Sequence, residues 1–287
     1  MRSSSHKSST KRICCSDQAE DSKHDSGSGS AALFIVGIGP GDQAHMSGAA
    51  VNAIERSEVI CGYATYVDLI RPLIGNRTVI STGMTKEVDR VWRAVETVRE
   101  GRTCTLVCSG DPGIYAMAGL VFQICAQNAI ALGSGTGEIP VLVVPGIPAL
   151  CAGAALLGAP LMHDFCAISL SDLLTPWEMI EKRLHAAGSA DFVTVLYNPK
   201  SKKRSWQLDS ARKILLEYRD PETPVGLVTS AMRENENIEL TTLQALDTAR
   251  VGMQTTVFTG NSKTFVYGNN MVTPRGYEGK YELETEK

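Results

Sequence analysis

The chain has 287 residues, 43% of them hydrophobic, and a formal net charge of −3. That length supports one large or two ordinary domains, and the near-neutral balance excludes a nucleic-acid binder acting through bulk charge. No apolar run approaches the ~20 residues of a membrane span, so no membrane partner is expected.

The eight cysteines form no Cys-x-x-Cys pair and no metal-spaced cluster with histidine. They read as reduced, buried thiols of a cytoplasmic protein, with no metal of its own. Residues 1–30 are polar and end in Ser26-Gly27-Ser28-Gly29-Ser30. Their composition predicts a disordered leader, dispensable for folding.

From Leu33 onward the pattern alternates strand and helix. Leu33–Ile38 is a continuous apolar strand that runs into Gly37-Ile38-Gly39-Pro40-Gly41-Asp42. A helix follows with Ala49, Ala50, Ala53 and Ile54 inward, then a strand at Val59–Cys61. Thr85 is placed to cap a helix reaching Glu100, with Val88, Val91, Val95 and Val98 as its buried stripe. Thr103–Cys108 reads as a strand, Gly110–Tyr115 as a loop, and a helix runs to about Asn128. Val141–Val144 closes this half, and Pro145-Gly146-Ile147-Pro148 marks a boundary.

The second half alternates less regularly. Strands are predicted at 166–170, 191–197, 224–229, 236–242 and 254–260, with helices at 176–187, 205–218 and 243–249. Thr175 reads as an N-cap, Pro176 as the first helical residue, Glu178 as the capping-box partner and Gly188 as the stop. The expected organisation is leader 1–30, an N-terminal α/β domain 31–146 with a mostly parallel sheet, a C-terminal α/β domain 147–277 with a mixed sheet, and a tail 278–287. A cleft between two such domains is a usual small-molecule site.

Asp42 stands where the third glycine of a dinucleotide-binding Gly-x-Gly-x-x-Gly would be, and a carboxylate there repels pyrophosphate, which disfavours a nicotinamide oxidoreductase. Ser109-Gly110-Asp111-Pro112-Gly113 lies at the carboxyl end of a strand, where α/β sheets bind ligands, although it also reads as a plain strand-to-helix turn. Ser169, Ser171, Asp172 and Thr175 supply either helix capping or a loop presenting hydroxyls and a carboxylate to a cleft. Tyr63 and Tyr66 can flank a flat ligand or form a hydrophobic staple; Glu87 and Arg90 can act there or form a solvated helix face. His163-Asp164 is either an acid/base pair or a helix terminus. Lys200-Ser201-Lys202-Lys203-Arg204 is a solvated surface or a rim for an acidic ligand.

Ser109–Ala118, Asp164–Glu178 and Tyr197-Asn198-Pro199 together resemble the tetrapyrrole methylases that use S-adenosylmethionine, and within them the precorrin-3B C(17)-methyltransferase subgroup. The resemblance runs over about residues 33–277 and includes Thr273-Pro274-Arg275-Gly276-Tyr277. It implies two α/β domains around a cofactor cleft and, by family pattern, cofactor contacts from Pro40, Ser109, Gly110, Asp111, Ile114, Tyr115, Pro148, Ala149, Tyr197 and Ala231. A corrin precursor, rich in carboxylates, would meet Tyr63, Tyr66, Arg90, Ser171, Asp172, Lys202, Lys203 and Arg204. The implied reaction is methylation at C-17 with ring contraction, by a homodimer, on precorrin-3B or cobalt-factor III, with Glu87, His163 and Asp164 as candidates for proton movement. Alternatives are methylation at C-11 or C-20 and a non-catalytic tetrapyrrole carrier.

Overall fold

The structure, a computed structural model, describes residues 31–201, 204–246 and 251–283. Its first half builds β1 (Leu33–Gly37), α1 (Gly48–Arg56), β2 (Val59–Tyr63), α2 (Ala64–Leu69), α3 (Arg71–Ile74), β3 (Thr78–Thr82), α4 (Glu87–Arg99), β4 (Cys104–Cys108), α5 (Ala118–Gln127) and β5 (Val141–Val144). The five strands form one sheet in the order β3-β2-β4-β1-β5, every pairing parallel.

Strand alternation explains how both faces are covered. Leu33 and Ile35 join Val91, Val95, Val121 and Ile124 from α4 and α5. Phe34 and Val36 point the other way, onto Ala50 and Ile54 of α1, Val67 of α2 and Ile74 of α3. Thr105 is a fully buried polar residue here, and its hydroxyl bonds that of Ser57 at 2.8 Å.

The second half continues with α6 (Ala149–Leu157), β6 (Gly158–Ala159), β7 (Phe165–Ser169), α7 (Trp177–Ser189), β8 (Val193–Tyr197), α8 (Gln207–Leu216), β9 (Pro224–Thr229), β10 (Asn237–Thr242), β11 (Thr255–Thr259), β12 (Phe265–Tyr267) and β13 (Asn270–Val272). The main sheet is β10-β9-β11-β8-β7, and β12-β13-β6 form a small third sheet. In the main sheet β7 runs parallel to β8, while β11 is antiparallel to both β8 and β9. The sheet is therefore mixed, as expected, and the first is wholly parallel. One face packs on α7 and α8 through Ile180, Leu184, Ala211 and Leu215. The other packs on α6 through Leu150, Leu157, Val195 and Phe258.

Several expectations need correction. Thr85 does not cap α4: it sits at φ 62°, and the helix starts at Glu87 with Lys86 as its uncapped N-cap residue. Val88, in the first turn, is 56% exposed, and Arg90 is the residue buried at that end of the helix. Ala49 is exposed on α1. The capping box at Thr175–Glu178 does not form, because Pro176 is the N-cap residue and no side chain caps α7. Gly188 does not stop that helix; a Cβ there would lie 2.5 Å from Cδ2 of Tyr218, so the glycine answers to packing. Arg219 instead serves the C-terminal end of α7, donating from Nη1 to Gly188 O at 2.8 Å and pairing with Asp191 at 3.1 Å.

Of the helix expected at 243–249, Leu243–Leu246 form a turn with both leucines buried, and 247–250 lie outside the described residues. The leader, with Cys14 and Cys15, also lies outside them. Cys151 is exposed and Cys166 half-buried, contrary to the reading of all thiols as buried. Among the described residues no helix is long and apolar enough to cross a membrane. No group of three or more His, Cys, Asp or Glu among them is placed to hold a metal ion.

Candidate active site

The order of the first sheet sets β1 beside β4. Chain leaving β1 turns toward the α1 face, and chain leaving β4 turns toward the α5 face. Such a switch in direction opens a crevice at the carboxyl ends of the strands. Its floor is stitched by backbone: Gly39 N–H donates to Gly110 O at 3.2 Å, and Gly110 N–H to Gly39 O at 2.8 Å. A Cβ on Gly146 would lie 2.2 Å from Gly110 O and 2.7 Å from Gly37 O, so only glycine lets the loops after β1, β4 and β5 meet. Asp111 secures the same floor, its carboxylate accepting from Gly113 N–H at 2.8 Å and Gly146 N–H at 3.1 Å. That carboxylate is committed to its own loops.

The second half supplies the facing wall. Its β8 and β9 run the same way, each antiparallel to β11, and bring Tyr197 and Ser230–Ala231 to the cleft. Tyr197 accepts the Leu150 N–H at 2.9 Å, doing for α6 what its N-cap residue Pro148 cannot. Burial pushes the Tyr197 phenol up to about 12, so it stays a neutral hydroxyl. Tyr115 donates to Ala167 O at 3.0 Å, and the two tyrosine rings lie 5.1 Å apart.

The cleft has a volume of about 540 Å³. Pro40, Ser109, Gly110, Asp111 and Ile114 line it, and so do Tyr115, Pro148, Ala149, Tyr197 and Ala231. All ten positions matched to cofactor contacts thus share one cavity. Tyr63, Tyr66, Arg90, Ser171 and Arg204 line it too. Asp172 is not a lining residue; its carboxylate accepts from Gln207 Nε2 at 2.9 Å. Lys202 and Lys203 lie outside the described residues. Glu87 lines the cleft. His163 and Asp164 do not line it; they are exposed, and Asp164 N–H donates to Nδ1 of His163 at 2.8 Å.

Arg90 is buried, with Nε donating to Thr82 Oγ1 at 2.7 Å and Nη2 to Gly83 O at 2.9 Å. Arg204 donates from Nη1 to Leu170 O and Asn198 O, at 3.2 and 3.0 Å. The third cleft arginine, Arg233, escapes sequence reasoning. Its Nε donates to Pro40 O at 2.6 Å and its Nη2 to Ser109 Oγ at 2.9 Å, joining the second half to the first. Within Met232-Arg233-Glu234-Asn235-Glu236 it reads as solvated surface. The one cue is its place two residues beyond Ala231.

The family model for tetrapyrrole (corrin/porphyrin) methylases matches residues 32–247. Cobalt-factor III methyltransferase of Priestia megaterium is 50% identical over 251 residues, covering 88% of this chain and 46% of that protein. This chain thus spans about half of that relative's length. The probable cobalt-factor III C(17)-methyltransferase of Salmonella typhimurium is 46% identical over 245 residues, covering 85% of this chain and 99% of that protein. Among solved structures, the methyltransferase CobJ superposes with a TM-score of 0.78 at 35% identity, covering 85% of this chain and 100% of that one. The chain belongs to the tetrapyrrole (corrin/porphyrin) methylase family.

Proposed function

We propose that this protein methylates C-17 of cobalt-factor III, or of its metal-free counterpart precorrin-3B, with contraction of the ring. S-adenosylmethionine supplies the methyl group when bound. The observation that carries this reading is the convergence on one cleft of all ten positions matched to cofactor contacts, drawn from loops far apart in sequence. The relatives with cobalt-factor III in their names favour the cobalt-containing substrate, in which the metal arrives as cargo.

The cleft residues suit the methyl donor. The Ser109–Gly113 turn offers backbone groups to its polar methionyl end, and Ala149, Tyr197, Val228 and Ala231 offer an apolar wall to its adenine. Gly110, at φ 67°, allows a ligand to approach the main chain closely. Holding donor and acceptor in a small cleft away from water is the main contribution a protein makes to such a displacement. Ring contraction also moves a proton. Glu87 is the cleft carboxylate placed to accept one, since Asp111 is spent on backbone amides. The cytoplasmic homodimer expected from the family is part of this reading, and light scattering tests its oligomeric state.

The test is incubation with S-adenosylmethionine and each substrate form, followed by product mass and absorbance. A gain of one methyl group with the spectrum of a contracted ring supports the proposal. No mass gain with either form overturns it.

A further inference from the structure

Among the described residues, two arginines of the cleft carry no counter-charge. Arg233 and Arg90 both line it, and every acceptor either guanidinium meets is neutral: Pro40 O and Ser109 Oγ for Arg233, Thr82 Oγ1, Gly83 O and Met117 Sδ for Arg90. Among the described residues neither has a carboxylate partner, and Glu87, three residues before Arg90 on α4, pairs with neither. Tyr66 lines the same cleft as the two guanidinium groups.

A desolvated guanidinium without a counter-charge is costly. For Arg233 that cost is visible as a pKa held below its ordinary value by burial. Donating from Nε and one Nη2 hydrogen to Pro40 and Ser109 still leaves both Nη1 hydrogens and the second Nη2 hydrogen for an incoming anion. The methyl donor offers one carboxylate, set beside its cationic amine and sulfonium; a corrin precursor offers several acidic side chains with no cation of their own.

We infer that Arg233 forms a carboxylate subsite that fixes one acidic side chain of the tetrapyrrole, in the cleft it shares with Arg90 and Tyr66. Arg233 is a specificity-determining residue that also ties the second half to the loops after β1 and β4. The inference rests on the proposed function and deepens it.

The test compares wild type, R233Q and R233K for binding of uroporphyrin, of its uncharged side-chain amide, and of S-adenosylhomocysteine. Circular dichroism checks each fold. R233Q is expected to weaken uroporphyrin about tenfold or more, with the amide and S-adenosylhomocysteine changed by no more than about threefold. R233K, which keeps the charge and loses the fork, is expected to fall between, and it decides the matter if R233Q does not fold. Equal losses for uroporphyrin and its amide would reduce Arg233 to a structural tie and overturn the subsite. A loss confined to S-adenosylhomocysteine would assign the guanidinium to the methyl donor's own carboxylate. Wild-type protein that binds S-adenosylhomocysteine but not uroporphyrin would overturn the subsite and leave the proposed function to its own product-mass test.

Discussion

The two halves of the molecule meet the cleft in different materials. The parallel sheet delivers main chain: Gly37 and Gly146 let three loops touch at distances that no side chain permits, and Gly39 and Gly110 turn at positive φ and bond each other through their backbones. The mixed sheet delivers side chains: Tyr197 on an amide of α6, Arg204 on two carbonyls, and Arg233 reaching across to Pro40 and Ser109. A main-chain floor tolerates no substitution but binds ligands of varied chemistry. A side-chain wall can be edited one group at a time, and selectivity among tetrapyrroles belongs there.

The largest effects are expected on the floor. Gly146→Ala sets a Cβ against two carbonyl oxygens at 2.2 and 2.7 Å and should cost about 3 kcal/mol or more. Gly48→Ala, at the start of α1 with nothing within 4 Å, should be neutral or slightly stabilising. Thermal melts of the two variants check the contrast, and equal melting temperatures would mean that the close approach at Gly146 does not constrain the floor.

Glu87→Gln should leave folding and S-adenosylhomocysteine binding intact while turnover falls by about 10²-fold, the usual scale for losing a general base. Single-turnover kinetics with full activity would transfer proton movement to another group.

On the facing wall Tyr197→Phe leaves the Leu150 amide without its acceptor and should cost about 1 kcal/mol. Tyr115→Phe, which frees the Ala167 carbonyl from a hydroxyl on a residue 54% exposed, should cost less. Chemical denaturation midpoints rank the two; a larger loss at Tyr115 would reverse the assignment of Tyr197 as the cap of α6.

The smallest expected effect concerns thiol chemistry. Burial pushes Cys61 up to about 12 and Cys108 up to about 11. Both therefore stay protonated, and unreactive, well above neutral pH. Cys151 is exposed on α6. Iodoacetamide near pH 8 should label Cys151 well before Cys61 or Cys108, as peptide mapping would read. Labelling of all three at one rate would mean that the first sheet opens far more readily than its packing indicates.

Legibility followed the same division. The strands β1 and β4 are visible because all five residues of each are buried, which writes an apolar run broken only by Thr105 in β4. β3 is hidden: Thr78–Thr82 is a half-exposed edge strand of mixed polarity. β12 is hidden for a like reason, since Phe265, Val266 and Tyr267 are all exposed and only the pairing with β13 makes them a strand. In the site, turns built on glycine announce themselves, because glycine is chosen for a backbone need that can be read locally. Arg233 cannot announce itself, because its partners Pro40 and Ser109 are 193 and 124 residues away in the chain. Capping motifs misled at Thr85, which sits at φ 62°, and at Thr175, because Lys86 and Pro176 take the N-cap positions.

The central claim is that one ligand bridges the main-chain floor and the side-chain wall. Hydrogen exchange read by mass spectrometry, with and without S-adenosylhomocysteine, tests it most directly. The account predicts protection in 109–115 on the floor and, together with it, in 197–198 and 230–232 on the wall. Protection on one side only, or none on either at saturating ligand, would contradict it.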